Sequence, residues 1–108
     1  MCHERFEWDS VKAAANLIKH RISFEDAAAV LSDPFADRFH MEEFDQTHSS
    51  ESEDRWITIG SFSFDRRRVV VISWTSRPNE SGGIITRIIS ARAATRTERR
   101  EYEEYIRQ

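Results

Sequence analysis

Very little in this chain can staple it, hinge it or anchor it. Of its 108 residues one is cysteine, two are proline and three are glycine. A lone Cys2 forms no internal disulfide, and a reducing cytoplasm is the expected home. No apolar run approaches 18 residues, so no membrane span is expected. Residues 1–8 carry Glu4 and Glu7 and no apolar core, which does not read as a signal peptide. With three glycines there is neither a GxxxxGK[ST] nor a GxGxxG motif, and Gly82-Gly83 suits a turn. ATP and dinucleotide chemistry are therefore not expected. There is no GxSxG elbow. The four histidines are scattered, with no pair at metal-ligand spacing and no second cysteine to join them, so neither a metal site nor a cofactor is expected.

Charge is present in quantity but unevenly placed. Charged residues make up 32% of the chain and hydrophobic ones 39%, a globular balance that suits one domain over residues 1–108. The net charge is −3. Residues 1–65 hold six Lys/Arg against fourteen Asp/Glu; residues 66–108 hold ten Arg against five Glu. A basic half on an acidic protein can still form a local phosphate-binding surface, although a salt-bridged exterior would give the same count.

The hydrophobic periodicity changes once along the chain. Asp9 can cap a helix over about residues 10–20. In it Val11, Ala14, Ala15 and Ile18 form one apolar face, and Lys12, Asn16, Lys19 and His20 fall on another. Ser23 opens a second helix, with Phe24, Ala27, Ala28 and Leu31 at helical spacing, and Asp33-Pro34 stops it. Residues 35–40 read as a short edge strand. Residues 41–54, acidic and poor in aliphatics, read as a mobile loop.

From residue 55 the pattern is that of strands. Residues 55–62 alternate around Ile57 and Ile59. Residues 69–74 are a β-branched run expected of a central strand covered on both faces. Pro78, Asn79, Gly82 and Gly83 mark a turn. In the strand over 84–92, simple alternation puts Ile84, Ile88, Ser90 and Arg92 on one side and Ile85, Arg87 and Ile89 on the other. Thr95 and Glu98 form a capping box for a last helix, whose Tyr102, Tyr105 and Ile106 can dock on the sheet. The expected class is α+β: two N-terminal helices, a three- to four-stranded mainly antiparallel sheet and a C-terminal helix.

Basic residues and a histidine are the chemistry that remains. RNA can be cleaved without a metal by its own 2′-hydroxyl, if the protein supplies a base, an acid and cations for the charge that builds on phosphorus. Histidine suits the proton transfer and arginine the phosphate. Plainer readings stand beside this one. His20 at a helix end also suits the helix dipole. Lys12 and Lys19 can be solvated, and Arg66-Arg67-Arg68 can protect a hairpin end. Arg87 and Arg92, flanking an apolar strand core, are harder to dismiss. Trp8, Trp56 and Trp74 read as core.

Two long segments carry a resemblance. FEWDSVKAAANLIKHRISFEDAAAVLSDP, residues 6–34, resembles the opening of BrnT-type toxins, and RIISARAATRTERREYEEY, residues 87–105, resembles their closing signature. Between them the Arg55-Trp56 stretch ending in Gly60 is similar to the family's first long strand. The resemblance implies a RelE-like ribonuclease fold, RNA as substrate and no metal. It also implies a BrnA-like antitoxin with a ribbon-helix-helix part, operator DNA engaged only through that antitoxin, and a dimer within the complex. Carried onto this sequence, it points to Lys12, His20, Arg55, Arg87 and Arg92 as catalytic. His20 would transfer protons, and Arg66, Arg67 and Arg77 would be substrate-binding. Glu98 reads as a cap. The chain departs from the pattern where Ser61–Arg68 replaces a glycine-bearing hairpin and where the turn over 78–83 is longer.

Overall fold

The computed structural model describes residues 5–47 and 54–108. Cys2, His3, Glu4 and the part of the acidic segment over 48–53, His48 included, lie outside the described residues. The chain runs β1 (Phe6–Glu7), α1 (Ser10–His20), α2 (Phe24–Leu31), α3 (Ala36–Phe39), β2 (Met41–Phe44), β3 (Arg55–Phe62), β4 (Asp65–Pro78), β5 (Ile84–Ala93) and α4 (Arg96–Ile106). The strands form one sheet in the order β1-β5-β4-β3-β2, antiparallel except for the parallel β1–β5 pair. The class is α+β as expected, with one or two more strands and one more helix.

β4 is the middle strand, and its β-branched run serves two cores. Val70, Ile72 and Trp74 point at α1 and α2, where they join Ile22, Phe24, Ala27, Val30, Leu31, Ile88 and Ala91. Val69 and Val71 point the other way and pack with Ile59 and Tyr102 of α4. Alternation with period two on a strand covered on both sides produces this division. Trp8 and Trp56 pack against the first core, and the buried Trp74 donates its indole N–H to Thr58 Oγ1 at 2.8 Å. Tyr102 is buried and Ile106 packs beside it, but Tyr105, expected to dock, is half exposed.

The helix caps follow the sequence. Asp9 accepts from the N–H groups of Val11 and Lys12, Ser23 from Asp26, and Thr95 and Glu98 close a reciprocal capping box. Two segments correct the expectations. The span 35–40 is not an edge strand: Asp33 accepts from the Phe35 N–H at 2.9 Å, which turns the chain after Pro34 into the short helix α3. Residues 41–44 are not loop but the edge strand β2, paired with β3. Its exposed Glu42 and Glu43 gave it a loop's composition, although charge is what edge strands tolerate. Beside it, His40 is buried and donates from Nε2 to the Val30 carbonyl at 2.8 Å. A side chain at Gly60 would meet His40 and Val30 at 3.1 Å, so glycine is what lets this corner close.

Periodicity leaves open how α1 is turned. Asn16, flanked by the half-buried Ala13 and His20, is turned to the protein, while Lys12, Lys19 and the aliphatic residues stay exposed. β1 ends at Glu7, opposite Arg87, and leaves the rest of the β5 edge open. Asn16 takes over there. Its amide N–H donates to the Ala91 carbonyl at 2.9 Å, and its oxygen accepts from the Ala91 N–H at 3.2 Å. The amide also donates to the Ile22 carbonyl at 2.9 Å. One side chain with both donor and acceptor thus imitates a neighbouring strand and holds α1 along the edge. No helix among the described residues is long and apolar enough to cross a membrane.

Asn16 is therefore a structural residue. Asn16→Ala leaves the buried Ala91 N–H and C=O without partners and should cost about 2–3 kcal/mol. Asn16→Asp, which lacks the N–H donors and sets a charge against two carbonyls, should cost at least as much. Urea unfolding monitored by tryptophan fluorescence measures both.

Candidate active site

The sheet face that carries α4 is covered along only part of its length. Tyr102 caps the Ser61–Val69 end, where its hydroxyl donates to the Phe39 carbonyl at 2.7 Å. At the opposite end the strand register sets Arg55, Thr75, Arg87 and Glu7 side by side in one row across β3, β4, β5 and β1. Directly paired residues share a face, so both arginines project to the same side. The first turn of α1 brings Lys12 beside them, and Asp9 comes with it. Asp9, Lys12, Arg55, Arg87, Ile88 and Ile89 line a cleft of about 120 Å³.

Among the described residues that line the cleft are three cations and one carboxylate. Asp9 is held below the usual carboxylate range by the backbone N–H groups of Lys12 and Val11. Both donate to the same oxygen, Oδ1. Glu7 borders the site: Arg77 donates to both its oxygens at 2.6 and 2.7 Å, and Arg87 approaches at 3.5 Å. These arginines, Arg77 first, draw Glu7 below its ordinary pKa. Glu7 thereby orients Arg87 at the cleft. A larger depression lined by Ala36, Asp37, His40, Glu42 and Tyr105 is acidic and offers a phosphate nothing comparable.

A bulge in β5 decides which arginines share the face. Ser73 pairs with Ser90 but Trp74 pairs with Ile88, so Ile89 is the extra residue. Ile88 and Ala91, three apart, consequently enter the same core. Arg92, opposite Val71, lands on the face of Arg87, opposite Thr75. Strict alternation had put the two on opposite sides.

Of the eight expected site residues, the fold gathers Lys12, Arg55 and Arg87. His20 ends the same helix as Lys12, eight residues on and so about 12 Å along its axis. It is half-buried, with no side-chain hydrogen bond among the described residues. Arg92 is gripped by Glu98 through two hydrogen bonds of 2.7 and 2.9 Å. Arg66 pairs with Asp33 at 2.6 Å and lies over the Phe39 ring, near Ser61, about 20 Å of strand from Arg55. Arg67 pairs with its neighbour Asp65 at 3.3 Å. Arg77 is taken by Glu7. Two contributors went unread. Glu7 lies in a two-residue strand too short to show a period. Asp9 was legible only as a cap.

Glu98 is pulled down to about 2, first by Arg92 and then by the Thr95 N–H. A carboxylate lowered on folding stabilises above its unfolded pKa, near 4.5, and that contribution disappears as pH falls toward 2. Glu98→Gln should be less stable than the parent by roughly 1 kcal/mol at pH 7, discounted for its partial exposure. Thermal unfolding between pH 7 and pH 2 should show the two curves converging on the acid side.

No curated protein matches the chain. Residues 8–98 match a family model described as the ribonuclease toxin, BrnT, of type II toxin-antitoxin systems. That span holds Asp9, Lys12, Arg55, Arg87, Arg92 and Glu98. Since the match covers most of the chain, this protein belongs to the BrnT family of ribonuclease toxins.

Proposed function

We propose that the chain is an endoribonuclease toxin whose scissile phosphate sits in the Lys12–Arg55–Arg87 cleft. The observation that carries this reading is the convergence of three cations, from a helix and two strands, on one cleft that Ile88 and Ile89 also line. Phosphoryl transfer needs positive charge in place before the reaction, in a site that partly excludes water. Arg55 and Arg87 present planar forks to the non-bridging oxygens, and Lys12 adds a point charge.

The substrate's 2′-hydroxyl attacks phosphorus and the 5′-oxygen leaves, without a metal. The 2′-proton passes to a base and a proton is returned to the leaving oxygen, giving a 2′,3′-cyclic phosphate and a 5′-hydroxyl. Asp9, with Oδ2 open beside Lys12, is the carboxylate nearest this chemistry. His20 and Arg92 are assigned contacts with the flanking RNA. Arg66, Arg67 and Arg77 are held in ion pairs outside the cleft and are assigned supporting parts at most.

The family assignment implies an antitoxin partner. The resemblance supports a BrnA-like ribbon-helix-helix protein that silences the toxin, binds operator DNA for both and holds a toxin dimer in the complex. The cytoplasm, where RNA and such a partner are made, is the proposed compartment.

Purified toxin should cut RNA equally with and without EDTA. Lys12→Ala and Arg87→Ala should each lower cleavage by about a hundredfold. Arg67→Ala should change it less than about threefold, as expected of an exposed pair. A gel assay on labelled RNA reads all of these. Absence of cleavage by a parent protein that still binds its antitoxin would leave the chain a binding module.

A further inference from the structure

Helix α1 carries its aliphatic residues on the outside. Val11 is 77% exposed, Ile18 79% and Leu17 48%. Ala14 and Ala15 are exposed between them. Residues 11, 14, 15 and 18 form one stripe of two turns, about 10 Å long. Scattered surface aliphatics need no explanation, but a continuous stripe on a helix whose one buried residue is the polar Asn16 does. Rotating α1 by half a turn would bury these residues, and the Asn16–Ala91 hydrogen bonds forbid it. The stripe is thus held outward by design of the fold.

We infer that this stripe seats the antitoxin, through an amphipathic segment with aliphatic residues at helical spacing and Asp or Glu beside them. The inference rests on the antitoxin partner proposed above and adds the surface and its chemistry. Charge complementarity selects the occupant. From residue 10 to residue 21 the helix and its C-cap carry Lys12, Lys19, His20 and Arg21 and no acid, and the N-cap Asp9 lines the cleft. A second copy of the same stripe would bring these like charges together, so self-pairing is disfavoured. RNA gains nothing from aliphatic side chains. An acidic amphipathic segment satisfies both the apolar stripe and its basic border, the mode in which helices bind apolar surfaces.

The location also accounts for silencing. Lys12 borders the stripe beside Val11 and Ala15 and at the same time lines the cleft. A segment lying along the stripe, with an acidic group on Lys12, covers the cleft mouth and removes one of its three cations from the substrate.

The test uses the full toxin and the product of the small reading frame beside its own. Ala14→Glu/Ile18→Glu and Lys19→Glu alter exposed side chains only, and circular dichroism and thermal unfolding should match the parent. Calorimetry should show the double variant binding at least about tenfold more weakly. Lys19→Glu should lose affinity mainly at low salt. The double variant should cut RNA like the parent, yet keep cutting at an antitoxin concentration that silences the parent. Binding of both variants within threefold of the parent would overturn the surface and leave the antitoxin reading standing. No binding by the parent would defeat the antitoxin reading itself. A parent dimer that Ile18→Glu splits into monomers would make a second copy the occupant and overturn the inference.

Discussion

The pairing of the Asn16 side chain with the Ala91 backbone governs the placement of everything else on α1. A two-residue β1 leaves most of the β5 edge without a partner strand, and a buried edge must find donors and acceptors. An amide side chain supplies one of each at the right separation, which neither a leucine nor a lysine could do. Once Asn16 is turned inward, the rotation of the helix is settled. Lys12, four residues earlier, falls over the β5 edge at the cleft, and Val11, Ala14 and Ile18 are forced into solvent. One polar contact therefore positions a catalytic candidate on one side and an unpartnered apolar stripe on the other.

The bulge at Ile89 does comparable work on the strand. Without it, Arg87 and Arg92 would face opposite layers. With it, the α4 side receives both, while Ile88 and Ala91 close the core against α1 and α2. A single inserted residue thus reconciles a hydrophobic demand with a row of cations. The row needs register as well, because Arg55 and Arg87 belong to strands that do not touch and meet only across Thr75 of β4.

Features that depend on local chemistry were legible from the residues. Asp9, Ser23 and the Thr95–Glu98 box announced the three longer helices, and the β-branched run announced the central strand. Features that depend on partners were not. Residues 41–44 resemble loop until β3 is beside them, and alternation offers no sign of where a bulge interrupts it. The α1 pattern was read correctly as two faces, but periodicity does not say which one turns inward when a sheet edge needs an amide more than it needs aliphatics. Lys12, Arg55 and Arg87 could be named one at a time. Their convergence is a product of strand order and of the seating of α1, whereas His20 is kept from them by the length of that helix.

The charge asymmetry of the chain takes on a different meaning in the folded state. The fold pairs part of the basic half with the acidic one. Asp33 takes Arg66 and Glu7 takes Arg77, both pairs joining the two halves, while Glu98 takes Arg92 within the second. Counting arginines along the sequence therefore overstates the surface available to a phosphate. What distinguishes the cleft is that its cations come from separate elements and, among its described lining residues, outnumber the carboxylates. Such a cluster is repelled from itself and attracts an anion from outside, whether a phosphodiester to be cut or the acidic residue of a protein that prevents the cutting. On the proposed reading, the same surplus that would serve RNA would make the site easy to block, and the apolar stripe alongside would give a blocking partner the affinity and selectivity that charge alone would not.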